Sequence, residues 1–333
     1  AEAAAAPAHS AGPLARGLWK ALRDGSRMPV VGLGTWKSKS GEVEAAVTHA
    51  ICEAGYRHID AAQIYGNQEE VGRGIRHAID KCGVKRGELW ITSKIWMVDY
   101  RQEDLPAAVD RILRELGLDH VDQLLLHWPV PLERPPAGCP PSCPERFAGT
   151  DNAMRPRGSD GNYVLSDLPI TEAWGALVGQ KRAGKVRSVG VSNFQPSEID
   201  ELISVGMEAP AVNQVELHVF WHQPELRRAM QDRGVALVAY SPLGNPALYA
   251  EKLDGMSSPL ITEIAAKSGL TPAQVMLNFL ITQDAVVVPK SVTPSRISSN
   301  IDFRLNLTAE DVARLEREAP QARLANPGLR PGG

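Results

Sequence analysis

Four side chains of different chemistry, Asp60, Tyr65, Lys94 and His127, follow one another along the middle of the chain. Taken singly each has an ordinary reading: a helix cap, a rim aromatic, a solvated amine and a core imidazole. Taken together they make an acid machine. A carboxylate beside an ammonium keeps both charged in a partly buried site. The ammonium favours the ionised form of a neighbouring phenol, which predicts a tyrosine lowered from its usual pKa of ~10 toward the working range of a general acid. An imidazole alongside can hydrogen-bond a carbonyl oxygen and orient it. The set protonates that oxygen as hydride reaches the carbon, and it contains no nucleophile and needs no metal.

Hydride requires a donor. The glycine fingerprint of dinucleotide-binding folds is absent, because Gly32-Leu33-Gly34 continues as Thr35-Trp36-Lys37. Other residues can do its work. Tyr240 can stack on a flat ring, and Ser192, Asn193 and Gln214 offer hydroxyl and amide groups suited to a carboxamide. Lys290, Ser291 and Arg296 set two cations and a hydroxyl near one strand-to-helix turn, which suits phosphate. Two cations there favour a 2′-phosphate, hence NADP over NAD.

The elements that must position these groups repeat along the chain. Amphipathic stretches such as 42–54 and 104–116 end at glycines (Gly55, Gly83, Gly117, Gly184, Gly206, Gly234), residues suited to the left-handed position past a helix end. Apolar, β-branched runs cover 30–35, 58–62, 89–95, 121–127, 186–193, 212–217, 236–242 and 285–291. Strands alternating with helices imply parallel βαβ units, and eight of them point to a closed (β/α)8 TIM barrel over an open doubly wound sheet. Each run ends in a polar or reactive residue: Thr35, Asp60, Lys94, His127, Ser192, Gln214, Tyr240, Lys290. Closure would gather these ends at one mouth. Residues around Asp24-Gly25 signal an N-terminal β-hairpin able to plug the opposite end. Long Pro/Gly-rich loops at 128–169 and 243–259 break the rhythm at the C-terminal mouth.

Composition narrows the classes further. The 333 residues carry a net charge of -3 and 43% hydrophobic residues. That is ordinary for a globular chain, with no basic run to mark nucleic acid and no uncharged apolar stretch of about 18 residues to cross a membrane. Residues 1–13, Ala-rich and without the build of a secretory signal, read as a flexible tail ahead of one barrel domain, 14–333. That domain includes loop 130–169 and a C-terminal loop, 318–333. Cys52 and Cys82 lie in helical patterns, and Cys139 and Cys143 share a C-P-P-S-C loop that can pair or bind metal. Four cysteines are too few for a disulfide framework. The expectation is free thiols in a reducing, cytoplasmic compartment.

At these residues the sequence resembles the aldo-keto reductase family from about residue 18 to 327. The resemblance is carried by G-Y-R-H-I-D-A-A-Q-I-Y-G-N at 55–67, V-G-V-S-N-F at 189–194 and V-P-K-S-V-T-P-S-R-I-S-S-N at 288–300, with Ser93-Lys94 and His127-Trp128-Pro129 in order. It implies NADP(H) bound across the barrel mouth, Tyr65 as proton donor tuned by Asp60 and Lys94, and His127 orienting a small-molecule carbonyl. By the same match Trp36 and Trp128 would line the substrate pocket. Thr35 and Asp60 would border the cofactor; Ser192, Asn193 and Gln214 would hold the nicotinamide amide, and Tyr240 would stack on its ring. Ser241, Leu243 and Asn245 would follow the pyrophosphate, and Lys290, Ser291, Val292, Arg296 and Asn300 would bind the adenosine end. Family habit implies a monomer.

Gln68 and Ser299 stand where members commonly have Glu, and the loop 131–169 is longer than in many animal members. The activity implied is NADPH-dependent reduction of aldehydes (aldoses, glyceraldehyde-like or aromatic), reversible as alcohol oxidation. The alternatives are a catalytically weak NADP(H)-binding barrel with a regulatory or structural role and a barrel hydrolase or isomerase. The latter leaves Tyr240 and the Asp-Lys-Tyr set unexplained.

Overall fold

A computed structural model of the chain describes residues 14–244 and 254–324. Its strands are β1 (Trp19–Ala21), β2 (Arg27–Pro29), β3 (Leu33–Gly34), β4 (His58–Asp60), β5 (Trp90–Ile95), β6 (Val121–Leu126), β7 (Val186–Ser192), β8 (Val212–Glu216), β9 (Ala236–Tyr240) and β10 (Val286–Val287). The helices are α1 (Val43–Cys52), α2 (Gln68–Lys81), α3 (Leu105–Leu116), α4 (Ile170–Arg182), α5 (Pro196–Ser204), α6 (Pro224–Asp232), α7 (Pro259–Ser268), α8 (Pro272–Thr282), α9 (Pro294–Ser299) and α10 (Ala309–Glu318).

β3 to β10 lie in sequence order in one sheet, and every neighbouring pair is parallel. The two ends of that sheet meet through parallel bridges between Val31 and Val287 and between Gly34 and Lys290. Gly34 N donates to Pro289 O across this seam at 3.0 Å. The sheet is therefore the closed (β/α)8 barrel and not the open alternative.

The local reasons are visible in single elements. In α3, Pro106 sits in the first turn, where a backbone N–H has no helical partner to lose. Leu105, Val109, Ile112 and Leu116 bury one face, and Gly117 stops the helix at φ 66°, returning its N–H to the last turn. In β7, a Cβ on Gly190 would lie 2.7 Å from Val212 Cγ2 and 2.9 Å from the Val212 carbonyl oxygen. Only glycine lets β7 and β8 approach so closely there.

The antiparallel hairpin β1–β2 closes the N-terminal end of the barrel. Its Leu22 and Met28 are buried with Trp90, Val212, Ala236 and Val286. Beside this plug His58 Nε2 meets Thr92 Oγ1 at 3.1 Å, and burial pulls the imidazole down to about 4, so it is neutral.

At the other end, the segment between β6 and α4 forms the long loop. It holds a 3-10 turn, Glu145–Phe147, two short antiparallel bridges and its own cluster of Cys139, Phe147 and Val164. Residues 321–322 are pinned along the exit of β8 by Gln321 Nε2 donating to Val219 O and Ala322 N to Phe220 O. The expected tail at 1–13 and the end of the C-terminal loop lie outside the described residues, as does most of the loop after β9. No helix among the described residues is long and apolar enough to cross a membrane.

The expectation of free thiols is overturned. Cys52 is bonded to Cys82 and Cys139 to Cys143. Cys52 ends α1 and Cys82 directly follows α2. These neighbouring helices end side by side with the two Cα atoms 5.6 Å apart, within the reach of a disulfide. Helical periodicity along each stretch says nothing about which helix lies next to which, so this pairing was invisible in the sequence. The second bond closes the turn in which Ser142 N donates to Gly138 O. Alkylation of the protein unfolded without reductant should modify none of its four cysteines, and all four after reduction. Full labelling before reduction would contradict both bonds.

Candidate active site

The parallel strands bring residues at or near their C-terminal ends to one rim. Asp60 ends β4, Lys94 is the penultimate residue of β5, and His127 directly follows β6. Ser192 ends β7, Gln214 lies on β8, Tyr240 ends β9 and Lys290 follows β10. Tyr65 reaches the same rim from the 3-10 turn Gln63–Tyr65, just after β4.

Lys94 is at the centre and is 0% exposed. An ammonium has three donors. Nζ spends one on Asp60 Oδ1 at 2.6 Å, one on Ala61 O at 3.0 Å and one on Tyr65 Oη at 3.4 Å. The second oxygen of Asp60 accepts from Gln214 Nε2 at 2.7 Å. Burial pulls the Lys94 ammonium down, and the Asp60 carboxylate opposes that loss.

The expected lowering of the tyrosine is not what the site does. Burial pushes the Tyr65 hydroxyl well above the usual phenol value, and the nearby Asp60 carboxylate pushes it the same way. The main physical reason is burial, which penalises a phenolate; in addition, Lys94 brings its counter-ion with it, so the phenol meets an ion pair rather than a bare positive charge. Tyr65 is thus held protonated. Because Lys94 donates to Oη, the phenol oxygen accepts on that side and its own proton is left to point elsewhere.

His127 meets Tyr65 edge-on, with ring centroids 5.9 Å apart. Burial and the Lys94 ammonium hold it well below the usual histidine value, so the ring is neutral with one N–H to offer.

The groups expected to serve a cofactor are knitted to this centre. Asn193, in the left-handed region at φ 66°, donates from Nδ2 to His127 O at 3.0 Å and accepts from Tyr240 Oη at 3.0 Å. Ser192 Oγ donates to Gln214 O at 2.7 Å, and Thr35 donates to Asp60 O from both N and Oγ1. Gln214 Nε2 spends one of its two protons on Asp60, which leaves its amide oxygen and its second N–H for a carboxamide.

Ser241, with φ 50°, and Leu243 follow half-buried, whereas Asn245 lies outside the described residues. Lys290 and Arg296 are exposed, and among the described residues neither has an ion-pair partner. Ser291 Oγ accepts from Thr293 N between them, with Val292 half-buried and Asn300 buried. Two cations unquenched by carboxylates, an aromatic ring and a cluster of amides and hydroxyls fit a phosphorylated nicotinamide cofactor.

Trp128 is buried, whereas Trp36 stands at the rim, 41% exposed, with the Lys37 ammonium 4.5 Å from its ring centroid. Several mouth residues escaped the sequence reading. Trp96 packs edge-on against His127, 5.2 Å between centroids, and its Nε1 donates to Met154 O of the long loop. Its place two residues after Lys94 was a usable signal. Buried Glu216 accepts from His218 Nε2 at 3.0 Å and from Leu324 N at 2.7 Å, anchoring the C-terminal segment. Gln63 and Asp99 form a further pair with no sequence signal.

A profile of the Aldo/keto reductase family matches residues 30–319. The chain belongs to this family. It is 37% identical over 306 residues to an uncharacterised oxidoreductase of Schizosaccharomyces pombe, covering 91% of this chain and 88% of that protein. It is 38% identical over 299 residues to aldo-keto reductase family 1 member A1 of Pongo abelii, covering 88% and 87%. The structure of the aldose reductase from Schistosoma japonicum superposes with a TM-score of 0.83 at 33% identity, covering 94% of this chain and 95% of that one. The aldo-keto reductase barrel and an oxidoreductase acting on small carbonyl compounds follow.

Because burial and Asp60 raise the Tyr65 hydroxyl, an ultraviolet difference titration of the protein against Tyr65→Phe should show no phenolate step up to about pH 10, the ordinary value. A step below that value would mean the ammonium prevails over the carboxylate.

Proposed function

We propose that this aldo-keto reductase uses NADPH to reduce aldehydes, among them aldoses, glyceraldehyde-like and aromatic aldehydes, and acts as a monomer with Tyr65 as the proton donor. The observation that carries the reading is the single ammonium of Lys94 bonded to Asp60 on one side and to the Tyr65 oxygen on the other. A carbonyl oxygen placed at the mouth accepts the N–H of neutral His127 and the O–H of Tyr65. NADPH held by the residues named below would supply the hydride for the carbonyl carbon. As negative charge grows on the oxygen, Tyr65 gives up its proton. The phenolate that results is stabilised by the hydrogen bond from Lys94, and Asp60 keeps that lysine charged. Reversal of the same proton path serves alcohol oxidation.

Ser192, Asn193 and Gln214 would hold the carboxamide and Tyr240 the ring face, while Ser241, Leu243 and Asn245 would follow the pyrophosphate. Lys290 and Arg296, with Ser291, Val292 and Asn300, would take the adenosine end and its 2′-phosphate. Trp36 and Trp128 would flank the substrate. A cytoplasmic member would carry its cysteines as thiols, and the two cystines favour an oxidising setting instead.

Loss of NADPH absorbance with glyceraldehyde or a benzaldehyde tests the reading. Tyr65→Phe should lower kcat by about 100-fold or more, the contribution of a positioned general acid. Replacing Lys290 and Arg296 by Met should erode the preference for NADPH over NADH. Full activity in Tyr65→Phe would refute the acid assignment, and an unchanged cofactor preference would refute the phosphate assignment.

A further inference from the structure

Asp99 is 2% exposed, yet it lies in neither the ion pair of the active site nor any barrel layer. It closes the 3-10 turn Met97–Asp99 that follows β5. A buried carboxylate persists only if its oxygens are satisfied. Here three donors from three separate segments converge on it. Gln63 Nε2, from the turn that carries Tyr65, and Arg111 of α3 both donate to Oδ2, the latter at 2.6 Å. Arg134, from the base of the long loop, donates to Oδ1 and also pairs with Asp104 at 3.3 Å.

The surrounding contacts extend the tie. The amide oxygen of Gln63 accepts from Trp96 N at 2.9 Å, so Gln63 bridges Asp99 to the wall of the mouth. The loop returns to the same stretch at two further points, Leu132 N on Met97 O at 3.2 Å and Met154 O beneath Trp96 Nε1. Next to Asp99, the Tyr100 hydroxyl donates to Trp128 O at 2.8 Å and accepts from Trp128 N at 3.1 Å. One carboxylate therefore sits where the donor's turn, the Trp96 wall and the loop base all meet. None of Asp60, Tyr65, Lys94 and His127 is bonded to it directly.

We propose that Asp99 is a positioning residue that ties the loop 130–169 to the turn bearing Tyr65 and thereby sets how bulky a carbonyl substrate the mouth accepts. This rests on the reductase reading above. With the tie cut, Arg134 and Gln63 lose their shared anchor and the wall formed by Trp96 and Met154 can recede. A small aldehyde that touches only Tyr65 and His127 is little affected. A ring-bearing aldehyde that leans on the wall loses its placement, and the loss is read in KM.

The test compares Asp99→Asn and Arg134→Met with the unmodified protein, using glyceraldehyde and a substituted benzaldehyde, together with trypsin cleavage of the loop at Arg146 and Arg157. Asp99→Asn should lose roughly tenfold or more of kcat/KM for the aromatic aldehyde beyond any loss for glyceraldehyde, carried by KM. Arg134→Met should change in the same direction, and both variants should be cut faster in the loop. Equal losses for both aldehydes at unchanged KM, with loop cleavage at the original rate, would overturn the proposal and leave Asp99 a merely structural residue. If Asp99→Asn fails to fold, Arg134→Met, altered at a half-exposed side chain, decides alone. If the unmodified protein reduces neither aldehyde, the reductase reading has failed, and the cleavage rates still decide whether the tie exists.

Discussion

The ion pair between Asp60 and Lys94 is the constraint around which the mouth is arranged. Its side chains are 4% and 1% exposed and their atoms 2.6 Å apart. Taking either charge out of water alone would cost several kcal/mol, and removing one partner of such a pair typically costs about 3–5 kcal/mol. The pair is tolerable because both carboxylate oxygens and all three ammonium protons have partners. Gln214 takes the second carboxylate oxygen, and Ala61 O and Tyr65 Oη take the remaining ammonium protons. Those same bonds fix where the phenol oxygen sits and which way its proton is free to turn. Electrostatics and geometry are thus one device: the pair that would be a liability in an apolar core is what holds the Tyr65 hydroxyl in place.

The barrel makes the pair possible. Parallel strands bring residues from positions 60, 94, 127, 192, 214 and 240 to one rim, and the registry of β4 on β5 pairs Asp60 with Thr92, so that Lys94, two residues further on and on the same face, reaches back to Asp60. The closeness of the barrel wall depends on details such as Gly190, and the plug of Leu22 and Met28 at the far end packs against the apolar residues of the barrel interior. The variable parts hang from this frame. The long loop and the C-terminal segment are fastened by buried carboxylates, Asp99 and Glu216, rather than by strands.

Much of this was legible in the sequence for a physical reason. Runs of β-branched residues ending in Asp60, Lys94, His127 or Ser192 state both the strand and its reactive end. The glycines after each amphipathic stretch state where the helices stop. What could not be read depends on neighbours set only by the closed fold. The Cys52–Cys82 bond needs two helix ends to lie together, and the Asp99 knot needs residues 63, 111 and 134 to converge. The direction of the Tyr65 shift is not legible because residue types announce an ammonium but neither how deeply the phenol is buried nor the carboxylate beside it. The Asn245 reading concerns a residue outside those described.

The central claim is that Lys94 and Tyr65 act as one acid. A double-mutant cycle on the single-turnover reduction rate, with Lys94→Met, Tyr65→Phe and the two combined, measures this directly. If the ammonium works only through the phenol, the double variant is no slower than the slower single variant. Losses that multiply across the cycle would show two independent contributions and contradict the account.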